Sequence, residues 1–149
     1  MRGLGRGMIG RLAGGSAWSA ALLALSGCAG LDMQAADGPC LDDSQACIAQ
    51  RTALVRSMSA DPSHGWIAVT PDRSTVASGV RLFAYQNVRD KLSCTELAAA
   101  LTDLDAARHV LAQGPTAGQS QARHNEIKAM TEDVRGSIAA SHQRKCVSA

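Results

Sequence analysis

The sequence predicts an all-α fold, a small up-down bundle of about four helices stapled by two disulfides. Alanine and leucine dominate the composition and runs of β-branched residues are absent, which favours helix over sheet. Apolar residues recur at helical spacing in four segments after residue 40. The links between these segments are short, as expected of an up-down bundle.

The first predicted helix runs from about Asp43 to Ser59. Asp42 or Asp43 can cap its N-terminus by accepting hydrogen bonds from free backbone N–H groups. The sequence DPSHG at residues 61–65 ends the helix. Its apolar stripe consists of Cys47, Ile48, Leu54, Val55 and Met58.

The second predicted helix covers about Ser74 to Lys91. Val76, Val80 and Phe83 share one of its faces at helical spacing. Gly79 lies inside it, where a glycine either lowers the local helicity or lets another helix approach closely.

The third and fourth predicted helices have the clearest signals. SCTE at residues 93–96 is a capping box, and Leu92 can pack against Leu97. Gly114 and Pro115 end the third helix, and a fourth runs from about Ser120 to Arg144. The core stripes are Leu97, Leu101, Leu104 and Leu111 in the third helix, and Ile127, Met130, Val134 and Ile138 in the fourth.

Four cysteines in the predicted helical domain, residues 40–149, indicate two disulfides. They are Cys40, Cys47, Cys94 and Cys146, and an even number of cysteines in an exported chain is typical of disulfide bonding. A structural zinc site normally shows closely spaced cysteine pairs. The nearest pair here is seven positions apart with no matching pair, so no metal is expected.

In an up-down bundle all four cysteines would lie at the end where the chain enters the domain. The pairing Cys47–Cys94 with Cys40–Cys146 is favoured, and Cys40–Cys94 with Cys47–Cys146 stays open. A local Cys40–Cys47 bridge ranks last, because it would strain the start of the first helix.

The N-terminus is predicted to carry a secretion signal. Arg2, Arg6 and Arg11 precede an apolar run of 14 residues, 12–25, which is too short to span a membrane and has the length of a signal-peptide core. The sequence LSGC at residues 25–28 resembles the lipobox of bacterial lipoproteins. The resemblance implies that residues 1–27 are removed and that Cys28 becomes lipidated and acylated. Cleavage without lipidation and an uncleaved anchor stay open as less favoured alternatives.

Removal of the predicted signal changes the net charge of the chain, and the residue after Cys28 bears on which membrane the protein would occupy. Three of the 15 basic residues lie in residues 1–27, which leaves 12 against 13 acidic residues and gives no support to nucleic-acid binding. Residues 28–39 are predicted to form a flexible tether. The resemblance also implies the outer membrane more than the inner, because Ala29 rather than an aspartate follows Cys28.

Catalytic motifs are absent from the sequence: it has no G-x-S-x-G, H-E-x-x-H or C-x-x-C pattern. No cofactor is expected. The four histidines (His64, His109, His124 and His142) are expected at the surface, and the pairs Asp103 with Asp105 and Glu132 with Asp133 on solvated helix faces.

Two segments are candidate partner-binding surfaces. Arg81, Tyr85 and Arg89 recur every four residues and could hold an anionic partner, although a plain solvated face gives the same pattern. Trp66, in the loop HGWI at residues 64–67, either contacts a partner or plugs the end of the bundle.

The sequence therefore predicts a cell-envelope lipoprotein without catalytic activity that binds or scaffolds another envelope component. Its domain would face the periplasm or the cell exterior. An inhibitor or regulator of an envelope enzyme, acting through the Trp66 loop, is one alternative. A small-ligand carrier or enzyme with a site inside the bundle is another.

Overall fold

The structure, a computed structural model, describes residues 39–148 and is all-α there. Its helices are α1 (Gln45–Ala60), α2 (Arg73–Ser78), α3 (Val80–Val88), α4 (Cys94–Leu111) and α5 (Gln121–His142). They pack on one another and carry two disulfides, which confirms the predicted class. The signal, Cys28 and the tether up to residue 38 lie outside the described residues.

Helix α1 begins two residues later than predicted, and its cap is Ser44. The Ser44 hydroxyl accepts a hydrogen bond from the Cys47 N–H at 3.3 Å. Asp42 holds the capping residue itself, because its carboxylate accepts a hydrogen bond from the Ser44 N–H at 2.8 Å. The predicted acidic side chain is thus present but supports the cap instead of forming it.

Gly79 divides the predicted second helix into α2 and α3. Its φ of 75° is left-handed, and it ends one helix and begins the next. An added Cβ would overlap the Ile127 Cδ1 atom of α5. Both suggested reasons for a glycine, a break in helicity and a close helix approach, therefore apply here.

Helices α4 and α5 form an antiparallel pair close to the predicted bounds. The capping box of Ser93 and Glu96 starts α4 as expected, and Ser120 caps α5. Their facing stripes fill the core together with α3 and the Trp66 region. The fully buried large side chains of this core include Tyr85, Val88, Leu92, Leu97, Leu104, Ile127, Val134 and Ile138.

Helices α1 and α3 run in the same direction, which departs from a strict up-down order. Ser59 and Asn87, both near the C-terminal ends of their helices, are joined by a 3.1 Å hydrogen bond. Residues 61–72 lead the chain back along the bundle before α2 begins. The direction then alternates through α3, α4 and α5, as an up-down bundle requires.

The favoured disulfide pairing is wrong, and the bridge ranked last is present. Cys40 bonds to Cys47, and Cys94 bonds to Cys146. The local bridge forms because Cys40 precedes the helix and folds back on it, where its N–H donates to Gln50 Oε1 at 3.1 Å. Because α1 is parallel to α3, the two bridges lie at opposite ends of the bundle and not at one end.

Candidate functional site

A groove of about 430 Å³ lies between α1 and α3. Its floor and walls are apolar, formed by Ile48, Val55, Val80 and Phe83. Ile48 is 40 % exposed, one of three large hydrophobic side chains exposed to this degree in residues 39–148. The volume falls within the range of small-ligand and side-chain binding clefts, so this surface is the candidate site of the domain.

One end of the groove carries three charged side chains, Arg51, Arg123 and Asp43. Arg51 Nη2 lies 3.6 Å from Asp43 Oδ1. The Arg123 guanidinium donates to Glu126 on its solvent side and to the Ser78 carbonyl at 3.3 Å. Each guanidinium at this end has one acidic partner, Asp43 for Arg51 and Glu126 for Arg123.

The other end of the groove is polar and neutral. Asn87 Nδ2 donates to Ser59 Oγ, which joins the two helices. Thr52 lies on the α1 wall, where its hydroxyl donates to the Ile48 carbonyl at 2.8 Å. The groove is therefore an apolar strip with one end that carries two ion-paired guanidiniums and one end that is uncharged.

Arg81 and Tyr85 do not form the exposed surface that the sequence predicted. Arg81 is 7 % exposed and Tyr85 is fully buried. Arg81 Nε donates to Asp103 Oδ2 at 2.9 Å, and the Tyr85 hydroxyl donates to the same oxygen at 2.7 Å. Burial, and then the Asp103 charge, raise the pKa of Tyr85. The expectation of a solvated Asp103 is wrong for the same reason.

Arg89, the third residue of that predicted surface, remains partly exposed but is engaged within the domain. Its Nε donates to Asp90 Oδ1 at 3.0 Å, and its Nη1 donates to Ser137 Oγ at 2.7 Å. The structure therefore does not bring Arg81, Tyr85 and Arg89 together on one open face.

Trp66 is held within the domain, as the plug interpretation requires. Its Nε1 donates to the Met58 carbonyl at 2.9 Å. Its ring lies 4.8 Å from the Tyr85 ring, and the Arg81 guanidinium lies 5.3 Å from the Trp66 centroid. The indole of Trp66 is thus already packed and already hydrogen-bonded within the domain, which argues against a free binding hot spot at this residue.

Of the four histidines expected at the surface, His124 is buried and His64 is only half-buried. His64 Nδ1 lies 2.8 Å from Glu96 Oε1, so His64 links the loop after α1 to the start of α4. Hydrogen bonds from Ser93, and then the His64 contact, lower the pKa of Glu96 to about 2. His124 is 4 % exposed, and its Nδ1 has no hydrogen-bond partner in residues 39–148.

Within residues 39–148, no group of three or more His, Cys, Asp or Glu side chains is placed to hold a metal ion. In the same range, no helix is both long and apolar enough to cross a bilayer. The cavity beside Tyr85 and Leu104 has about 10 Å³, room for about one water molecule.

The groove was missed because its two walls come from helices that the sequence placed in opposite directions. Phe83 and Val55 were each assigned to a core stripe, and only the parallel packing of α1 on α3 leaves them lining a cleft. Comparison of the chain with protein-family models, curated proteins and solved structures finds no match.

Proposed function

We propose that this chain is a bacterial cell-envelope lipoprotein, anchored through lipid on Cys28, whose helical domain binds another envelope component without catalysing a reaction. The observation that carries the proposal is the cysteine usage. The four cysteines after the lipobox are all consumed in two disulfides, a state that persists in oxidising compartments. Cys28 is then the one cysteine left for lipid attachment.

The anchor explains how a small domain would stay in the envelope. A single acyl chain binds a membrane only marginally, whereas several chains hold it stably. The tether would join the domain at the α1 end, next to Cys40. The outer membrane is favoured because Ala29 follows Cys28.

The groove between α1 and α3 is the surface through which we propose that the domain binds. Its apolar strip suits a buried apolar side chain, and the two guanidiniums at its charged end suit a carboxylate that competes with Asp43 and Glu126. The partner is accordingly a protein segment that carries an acidic residue beside an aliphatic or aromatic one. A ligand enclosed within the bundle is less well supported, because large side chains fill the core.

The anchor is tested by a Cys28→Ser variant expressed in a Gram-negative host. We expect the wild-type chain in the detergent-extracted membrane fraction and the variant in the soluble envelope fraction. Equal membrane retention of the two proteins would refute lipidation at Cys28. Cys94→Ser is the matched control, because it removes a cysteine at the start of α4 without altering the lipobox.

The groove is tested by photo-crosslinking in intact cells. A photoreactive residue at Thr52 should crosslink to a discrete partner peptide with an acidic residue next to an apolar one, and the same residue at exposed Lys128 on α5 should not. Ile48→Asp should abolish the Thr52 crosslink. Val69→Asp, at another exposed apolar residue away from the groove, should preserve it. Equal crosslinking from both positions, or a peptide without an acidic residue, would contradict the proposal.

A further inference from the structure

The Cys40–Cys47 disulfide lies against a buried cation. Arg51 is 7 % exposed, and its Nη1 lies 3.0 Å from Cys47 Sγ. The same nitrogen donates to the Cys40 carbonyl at 3.1 Å and to the Asp42 carbonyl at 2.6 Å. The guanidinium is thus fixed by the residues that flank the bridge, with its charge directed at one of the two sulfurs.

The two sulfurs differ in access. Cys47 is 2 % exposed, whereas Cys40 is only partly buried in the segment before α1. An incoming thiolate therefore reaches Cys40 Sγ more easily than Cys47 Sγ. Cys47 would then be the leaving sulfur, next to Arg51.

A leaving thiolate beside a guanidinium is stabilised, and a more stable thiolate leaves faster in disulfide exchange. Asp43 Oδ1, at 3.6 Å from Arg51 Nη2, offsets part of this charge but is mostly exposed to solvent. The burial of Cys47 acts in the opposite sense. Arg51 Nη1 lies 3.0 Å from Cys47 Sγ, whereas Arg51 Nη2 lies 3.6 Å from Asp43 Oδ1. The guanidinium is therefore closer to the sulfur than to the carboxylate.

We infer that Cys40–Cys47 is a directional thiol-exchange site, at which an external thiolate bonds to Cys40 and releases Cys47 as a thiolate held by Arg51. In this step the bond between the incoming sulfur and Cys40 Sγ forms as the Cys40–Cys47 bond breaks, and the electron pair of the broken bond goes to Cys47. The number of disulfide bonds is unchanged. Attack of Cys47 on Cys40 reverses the step and expels the thiolate.

The site adjoins the proposed binding groove, because Arg51 and Asp43 line both. An adduct on Cys40 would stand near the charged end of that groove, because Arg51 contacts both Cys40 and the groove. The exchange chemistry does not depend on the groove binding a partner, and either can fail alone.

The first experiment maps the adduct. The full mature chain is treated with reduced glutathione, quenched with acid, alkylated and digested for mass spectrometry. We expect glutathione on Cys40 with alkylated Cys47. Glutathione mainly on Cys47, or no adduct at either cysteine, would overturn the assignment.

The second experiment measures how Arg51 affects the rate at which dithiothreitol opens this bridge. Arg51→Gln should slow the opening about three- to tenfold, from the dependence of exchange rates on thiol acidity. Arg51→Lys, which keeps the cation, should restore most of the rate. An unchanged or faster rate in Arg51→Gln would mean that Arg51 only holds the segment in place.

Two controls separate chemistry from loosening of the fold. Arg56→Gln removes an exposed cation from the same helix and should leave the rate unchanged. The Cys94–Cys146 bridge, measured in the same samples, should open at the wild-type rate in every variant. If Arg51→Gln does not fold, Cys40→Ser and Cys47→Ser are compared by the ultraviolet absorbance of the thiolate. Cys47 must ionise at lower pH than Cys40, and the reverse order would overturn the inference.

Discussion

Replacing Gly79 by alanine tests the account of how α3 packs between its neighbours. Gly79 holds a φ of 75°, which costs an L-residue about 1–2 kcal/mol. The new methyl group would also overlap Ile127 Cδ1, and overpacking of a buried site costs about 1–3 kcal/mol. We therefore expect Gly79→Ala to lower the free energy of unfolding by about 2–5 kcal/mol.

A double-mutant cycle isolates the steric part of this loss. Ile127→Val removes the Cδ1 atom that the methyl group would strike, and alone it should cost about 0.5–1.5 kcal/mol. In the Gly79→Ala background the same change should cost less or become stabilising. A coupling free energy of about 1–3 kcal/mol between the two positions is expected.

The assay is urea denaturation under non-reducing conditions, with the midpoint compared at constant slope. Gly136→Ala is the matched control, because its backbone is not left-handed and a Cβ there meets no atom within 4 Å. That change should stabilise α5 by about 0.5–1 kcal/mol. A neutral Gly79→Ala variant, or strict additivity with Ile127→Val, would refute the close approach of α3 to α5.

Three further predictions follow from the polar contacts and the bridges. Asp103→Ala should lower the free energy of unfolding by about 3–5 kcal/mol, because it leaves buried Arg81 unpaired; a loss below 1 kcal/mol in urea denaturation would contradict the buried pair. The pKa of Glu96 is lowered to about 2, so its contribution to stability is complete above pH 4.5, its ordinary pKa, and is lost as the pH falls toward 2. Glu96→Gln should therefore flatten the acid limb of the curve of stability against pH, and an unchanged limb would show that the His64 and Ser93 contacts do not form. Removing Cys94–Cys146, which spans 52 residues, should cost about 4 kcal/mol, and removing Cys40–Cys47, which spans 7, about 2.5 kcal/mol by loop entropy; equal losses in thermal or urea unfolding would contradict that ordering.

Local signals in the sequence predicted most of the helices. The capping box at Ser93 and the Gly114 stop bound α4 to within a few residues. These features depend on neighbouring residues alone, so they can be read without knowledge of the tertiary fold. Gly79 was recognised as special for the same reason, although its left-handed conformation was not.

Errors arose where the fold depends on how helices are arranged. The return of residues 61–72 along the bundle makes α1 parallel to α3, and no local pattern encodes that direction. The predicted disulfide pairing was wrong for the same reason, because it assumed that Cys40 and Cys94 lie at the same end of the bundle. Four cysteines allow three pairings, and spacing alone does not choose among them.

The buried site of Arg81 and Tyr85 was misread because their spacing of four residues also describes a solvated face. Six of the nine residues from Val80 to Val88 are apolar or aromatic, and the segment is buried on most sides, as is typical of a helix whose apolar residues cover most of its circumference. That composition was the available signal. The acceptor, Asp103, is 22 residues from Arg81, and its position depends on the packing of α4 on α3.

The central claim is a lipid-anchored domain closed by two disulfides, and the mass of the native protein tests it most directly. The protein would be extracted from bacterial membranes without reduction, weighed intact and mapped by peptide digestion. We predict a chain that begins at a lipid-modified Cys28 and contains the bridges Cys40–Cys47 and Cys94–Cys146. An unmodified Cys28, or free thiols at the other four cysteines, would contradict the account.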